Sequence, residues 1–148
     1  MIFDSTLLFS DAQAITADAA STNYIDLGAT GTPYGGTALV RDIGPGRSIP
    51  IAITVGASFN TLTSLTINLQ VDDNASFSSA TTVSSASYLL AELTAGAILN
   101  YPDYVPQGVD ERYFRLQYDV VGSNPSTGNI TAGIVAAKQT NTGSVYGG

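Results

Sequence analysis

The stretch LTSLTINLQV, Leu62 to Val71, decides the fold. Leu65, Ile67, Leu69 and Val71 alternate with Thr66, Asn68 and Gln70. An extended chain sends successive side chains to opposite sides, so this spacing makes a strand with one face for a core and one for water. On a helix the same four apolar residues would be scattered around the circumference.

The same period recurs in both directions from there. Upstream, SIPIAITV puts Ile49, Ile51, Ile53 and Val55 on one side. Pro50 has no N–H to give to a ladder, so that strand begins there or lies at a sheet edge. Downstream, ERYFRLQYDV sets Phe114, Leu116, Tyr118 and Val120 against Tyr113, Arg115, Gln117 and Asp119. NITAGIVAA does so with Ile130, Ala132, Ile134 and Ala136, and Gly133 inside it marks a bulge or a close backbone approach. NYIDLG, TALVRD, ATTVSSA and SYLLAEL are shorter strand candidates. Turn formers fill GATGTPYGG, DIGPGRS, YPDYVPQG and GSNPSTGN between them. About eight short strands separated by turns predict an antiparallel sandwich, barrel or jelly roll. Helix is nearly absent: DAQAITADAAS has alanine but no 3.6-residue period, and LAELTAG suits a single helical turn. The polar, glycine-rich tail KQTNTGSVYGG is expected to fray.

With 148 residues the chain is the size of one domain. Such a domain buries roughly 70% of its unfolded surface and needs no staples. It has no cysteine, hence no disulfide or thiolate site, and no histidine, hence none of the usual neutral-pH general base or commonest transition-metal ligand. The expectation is a non-enzyme with no cofactor. Twelve acidic against five basic residues give a net charge of -7. Arg41, Arg47, Arg112, Arg115 and Lys138 are scattered rather than gathered into a basic patch, so no nucleic-acid partner is expected. Only 11% of residues are charged, against roughly 25% in an average soluble domain. Serine, threonine, alanine and glycine take their place, which suits either a protein packed against neighbours or a plain Ser/Thr-rich β domain. No run approaches the 18 apolar residues of a membrane span, and MIFDSTLLFSDAQAIT lacks the basic start and continuous apolar core of a signal peptide. The expectation is no membrane partner, and a protein used in the cytosol or exported without a signal.

The densest group of carboxylates and hydroxyls is VDDNASFSSATTV, Val71 to Val83. Its acids are adjacent rather than alternate, which is not the spacing of a calcium loop. Asp72 or Asp73 with Glu92 or Glu111 would make a carboxylate pair, but no spacing argues for it. The favoured reading is a turn in which Asp and Asn cap their own backbone while Phe77 anchors the loop; a structural cation is the weaker alternative. Asp42 to Arg47 resembles an anion nest but reads more simply as a tight connection. Tyr101 and Tyr104 in YPDYVPQG are candidate loop anchors or protein-interface residues rather than a sugar platform. Arg112 and Arg115 fall on opposite faces of their strand, and one of them is expected to form an ion pair. Ile2, Phe3, Leu7, Leu8 and Phe9 form an apolar cluster without strand period, costly to leave in water at about 25 cal/mol per Å². They are read either as a contact arm, whose removal over residues 2–9 leaves the domain folded, or as an edge strand packed on the chain's own sandwich.

DSTLLFSDAQAIT, STNYIDLGATGTP, VRDIGPGRSIPI, LTSLTINLQVDDNASFSSATTV, ERYFRLQYDVVG and GNITAGIVAAKQTN follow one another in that order. Together, from Asp4 to Asn141, they resemble the capsid cement, or decoration, proteins of tailed bacteriophages, the family typified by a Bordetella phage cement protein. The resemblance implies an all-β fold, a jelly-roll-like antiparallel β-sandwich with an extended N-terminal arm. The layout expected from the whole reading is an arm over 1–20, a sandwich over 21–141 and a flexible tail over 142–148, the tail lying outside the resemblance. It further implies a virion protein, made in the host cytoplasm, that sits on the outer face of an HK97-type shell and bridges major capsid proteins. Self-association is expected as a homodimer first and a homotrimer second. A carbohydrate-binding or adhesion module is the rival reading, weakened by the absence of tryptophan.

Overall fold

The computed structural model describes residues 2–41, 49–102 and 109–138. Among these residues nine strands follow in order: β1 (Leu8–Ala14), β2 (Ala19–Ala20), β3 (Ile25–Asp26), β4 (Ile51–Ala57), β5 (Leu62–Asp72), β6 (Thr81–Leu89), β7 (Ile98–Leu99), β8 (Tyr113–Gly122) and β9 (Asn129–Ile134). Among the described residues, helix is confined to 3-10 turns at Ser5–Leu7 and Leu90–Glu92, the second lying in the LAEL stretch.

The strands form two antiparallel sheets, ordered β1-β9-β4-β7 and β2-β8-β5-β6, with β3 also paired to β8. Strands β2 and β3 meet β8 at Tyr118 and Phe114, so they act as one strand interrupted at residues 21–24. Counted that way, the chain is a nested hairpin: β1 pairs β9, β2 with β3 pairs β8, β4 pairs β7, and β5 pairs β6. Lateral β4–β9 and β5–β8 pairing joins these couples into the two sheets. A long hairpin rolled over so that its strands fall alternately into two sheets is a jelly-roll sandwich.

The core lies between the sheets. From β5 it takes Leu65, Ile67, Leu69 and Val71, and from β8 Phe114, Leu116 and Tyr118. The facing sheet supplies Ile51, Ile53, Val55, Ile130, Ala132 and Phe9. Burying one such aliphatic or aromatic side chain stabilises the fold by about 1.5–3 kcal/mol. Polar partners of the β5 alternation tie neighbouring strands on the outer face. Thr66 Oγ1 bonds Ser87 Oγ at 3.1 Å, Asn68 donates to Asp119 at 2.6 Å, and Arg115 donates to Gln70 at 2.9 Å.

Several expectations change. ATTVSSA and the first three residues of SYLLAEL form one strand, β6, because a run of serines without charge or proline interrupts no ladder. Its one irregularity lies opposite Leu69 and Gln70. TALVRD is no strand over its described residues: Leu39 and Val40 stand exposed with no strand beside them. β4 begins directly after Pro50 and lies inside its sheet, so the proline marks a start rather than an edge.

The segment expected as an arm is in large part sandwich. Leu8–Ala14 is the edge strand β1, and Ala19–Ala20 is β2. Its apolar period was hidden because β1 pairs β9 through two register irregularities, with Ala12 at φ 46°. Gly133 is the close approach foreseen for it: a Cβ there would lie 2.9 Å from the Leu7 carbonyl oxygen. The tail expected over 142–148 lies outside the described residues.

Candidate functional site

Three connections meet at one end of the sandwich. They are the β3–β4 loop, the β5–β6 turn and the segment entering β8. Asp26 and Arg112 pair there, with Nε to Oδ1 at 2.6 Å and Nη2 to Oδ2 at 2.7 Å. The Leu27 amide donates to the Arg112 carbonyl at 3.0 Å. The Arg41 amide donates to Asp110 at 2.6 Å, and its guanidinium bonds the Gly28 carbonyl. Gly28 and Arg41 therefore close the base of a loop whose residues 29–40 are all exposed. A compact excursion with clamped ends is an Ω-type loop. This one carries Tyr34 fully exposed, with Leu39 and Val40 at 56% and 73%. Inside it, the Gly36 amide bonds Pro33 O and the Leu39 amide bonds Gly31 O, each at 3.0 Å, which keeps the excursion folded on itself.

At its foot an aromatic and arginine cluster covers the sheet end. Tyr24 meets Tyr113 edge-on at 5.5 Å and Phe77 at 6.1 Å. Arg112 stands over the Tyr113 ring at 5.0 Å, and Arg115 over Phe77 at 4.3 Å. Tyrosine and arginine held rigid at a surface are the residues from which interface hot spots are built.

The β5–β6 turn beside it answers the question raised by Asp72. Its oxygens accept from the Asn74 amide at 3.0 Å, the Ser79 amide at 2.8 Å and the Ser79 hydroxyl at 3.0 Å. Asn74 in turn accepts from the Ser76 amide at 2.9 Å. Phe77 is buried with φ 51°, which fixes the loop. This is the self-capped turn with an aromatic anchor. Asp72, Asp73 and Glu111 also bring a carboxylate oxygen each within 4.8 Å of one another, so the structure supplies the Glu111 proximity that spacing did not. Burial pushes the Asp72 carboxyl up, but the Asn74 and Ser79 amides, the Ser79 hydroxyl and Asp73 outweigh it and hold it below the ordinary carboxylate range. Burial raises Glu111, reinforced by the negative charges of Asp73, Asp72 and Asp110. Asp26 is held at about 2, chiefly by the Arg112 hydrogen bonds.

Residues 9–138 match the Bbp16 family, a Bordetella phage protein family. The chain belongs to that family. No curated protein matches it. The Bbp16 match runs from the second residue of β1 through β9.

In this Bbp16 protein the expected contact residues separate. Ile2 is 89% exposed, and Phe3, Leu7 and Leu8 are half-buried. Phe9 is core, so its half of the cluster takes the edge-strand reading, and cutting 2–9 would remove a core side chain. Tyr101, 2% exposed, is a loop anchor with its hydroxyl on the Ser84 carbonyl at 3.1 Å, and it offers no surface to a partner. Tyr104 and the Asp42 to Arg47 stretch lie outside the described residues. Arg112 forms the expected ion pair, while Arg115 stacks on Phe77. Sequence reasoning missed Tyr24, Tyr34, Leu39 and Val40. The signal for the last three was the length of the excursion, since connections beyond about 12 residues are often functional.

Proposed function

We propose that this chain is a structural protein of the phage particle that sits on the outside of the capsid shell and ties neighbouring major capsid proteins together. The observation that carries the reading is membership of a Bordetella phage family across nearly the whole jelly roll. The net charge of -7 supports an outward station, since a surface facing packaged DNA would be repelled. The role is mechanical rather than catalytic. Packaged genome pushes the shell outward, and a subunit astride a joint raises the free energy of opening it. Single contacts can be modest, because engagement at several shell subunits makes each later contact intramolecular.

The contact surface in this reading is the loop-bearing end, with Tyr34, Leu39 and Val40 as apolar anchors and the Tyr24–Tyr113–Arg112 cluster as their rigid base. Ile2 and Phe3 are a second element. Cosedimentation with expanded shells tests it. The chain should pellet with shells, and a variant with residues 31–38 replaced by a short glycine linker should stay folded and stay in solution. Particles lacking the protein should lose their genome at lower temperature than complete ones. Equal heat resistance of the two particles overturns the reading.

A further inference from the structure

The strand made of β2 and β3 steps away from β8 at its middle. Ala20 faces Gln117 and Ile25 faces Phe114, so five steps on one side meet three on the other, a bulge of two extra residues. Ser21 still holds β8 through its amide on the Leu116 carbonyl at 2.8 Å. Thr22 and Asn23 then reach the other sheet, where their amides bond Gln13 Oε1 and the Phe9 carbonyl, each at 2.9 Å. Bulges re-aim side chains and are over-represented beside functional sites. Here the bulge and the 3-10 turn at Ser5–Leu7 border a recess of about 400 Å³, lined by Ser5, Thr6, Leu8, Thr22, Asn23 and Tyr24.

The lining offers hydrogen bonds that the fold does not use. Among the described residues, Ser5 Oγ, the Asn23 carboxamide and the Tyr24 hydroxyl make no hydrogen bond. Backbone groups of the bulge are spent inward: besides the two amides, the Asn23 carbonyl accepts the Ser21 hydroxyl at 2.7 Å. The walls are also preset. Asp4 accepts both the Thr6 amide at 2.8 Å and the Thr6 hydroxyl at 2.6 Å. Tyr24 rests edge-on against Tyr113 and Phe77 while staying half exposed. Groups held still before a ligand arrives lose little entropy when it binds.

We infer that this recess binds a neutral saccharide unit, with a sugar ring laid on Tyr24 and its hydroxyls held by Asn23 and Ser5. The inference goes beyond the structural role above and does not rest on it. The chemistry of the lining selects the class. No charged residue lines the recess, and the net charge of -7 repels an anionic ligand. A wholly apolar ligand would strip water from the hydroxyls and the carboxamide without replacing its hydrogen bonds. An extended peptide needs a row of free backbone groups, and those of Thr22 and Asn23 named above are taken. What remains is a neutral ring with hydroxyls on its rim and C–H groups on its face, which suits a wall of tyrosine, hydroxyls and an amide. The volume is near the lower end of the roughly 300–1,000 Å³ of small-molecule sites, room for about one or two sugar rings.

The test titrates the full chain with lactose, maltose and chitobiose and follows its backbone amides by NMR. At least one of these sugars should move the Thr6, Thr22, Asn23 and Tyr24 amides saturably at millimolar concentration. Asn23→Ala removes an exposed side chain that the fold does not use, and should weaken that binding about three- to tenfold. Tyr24→Leu removes the stacking face and should abolish it, whereas Tyr24→Phe keeps the ring and should retain most of it. If the leucine variant fails to fold, Asn23→Ala still decides. Sialyllactose, which adds a carboxylate to lactose, should bind no better than lactose. No movement of these amides with any of the three neutral sugars, shifts confined to another part of the surface, or an Asn23→Ala variant that binds as tightly as wild type would each overturn the inference. If Asn23→Ala stops pelleting with shells while no sugar moves the amides, the recess serves the shell contact and the inference fails.

Discussion

Ser10 Oγ and Tyr118 Oη lie 2.8 Å apart inside an otherwise apolar core and join the two sheets, one from β1 and the other from β8. Ser10 spends its proton on Gln13 Oε1 at 2.7 Å, an oxygen that also accepts the Thr22 amide, so Tyr118 is the donor between them. Burial pushes the Tyr118 hydroxyl well above its ordinary value, so it keeps that proton throughout the working pH range.

The direction of this bond predicts unequal costs. Tyr118→Phe removes a donor and should cost about 1 kcal/mol, whereas Ser10→Ala strands a buried hydroxyl and should cost about 1–3 kcal/mol. The double variant should lose less than the sum, read from urea unfolding of all four proteins.

Acid weakens the loop-bearing end. Asp26 sits at 3.8 in the unfolded chain and about 2 when paired with Arg112. A depressed folded value adds stability that is complete above the unfolded value and disappears as pH falls through the folded one. Asp26→Asn should thus lower the melting temperature slightly at pH 7, and the difference should shrink as pH falls below 3.8 and vanish only below about 2. Added salt should shrink the neutral-pH effect, because the pair is solvent-exposed.

Glu111 has the opposite sign. Its folded value is raised by burial and by Asp73, Asp72 and Asp110, so the ionised form is the disfavoured one. Glu111→Gln should raise the melting temperature at pH 7 by about 1–2 °C. The gain should vanish in acid, below the unfolded value, where wild-type Glu111 is protonated in both states.

The inner strands were legible because β5 and β8 lie inside their sheet, buried on one face and wet on the other, so Ile67 beside Asn68 or Leu116 beside Gln117 states its orientation directly. β1 was harder to see: its register slips twice against β9, and Phe9 enters the core from a stretch with no regular period. The Asp72 turn was readable as a local event because its donors, Asn74 and Ser79, are close in sequence. Nothing local announced that Glu111 would approach it, since that depends on β8 pairing with β5 from Asp72↔Tyr113 onward. The patch at Tyr24 has the same cause: Tyr24, Phe77 and Tyr113 meet only once three segments distant in sequence share one end.

The concentric pairing described for the fold orders events in time. The innermost couple, β5 with β6 around the bend held by Asp72, is expected to close first, since short loops cost the least entropy. The outermost couple must wait for β9, the strand that follows all the others. Asp72→Ala should therefore slow refolding, while Phe9→Ala should leave that rate nearly unchanged and speed unfolding, a contrast visible in the two limbs of a chevron plot. The molecule closes like a zip whose slider starts at Asp72, and the strand that carries Phe9 is the last tooth to engage.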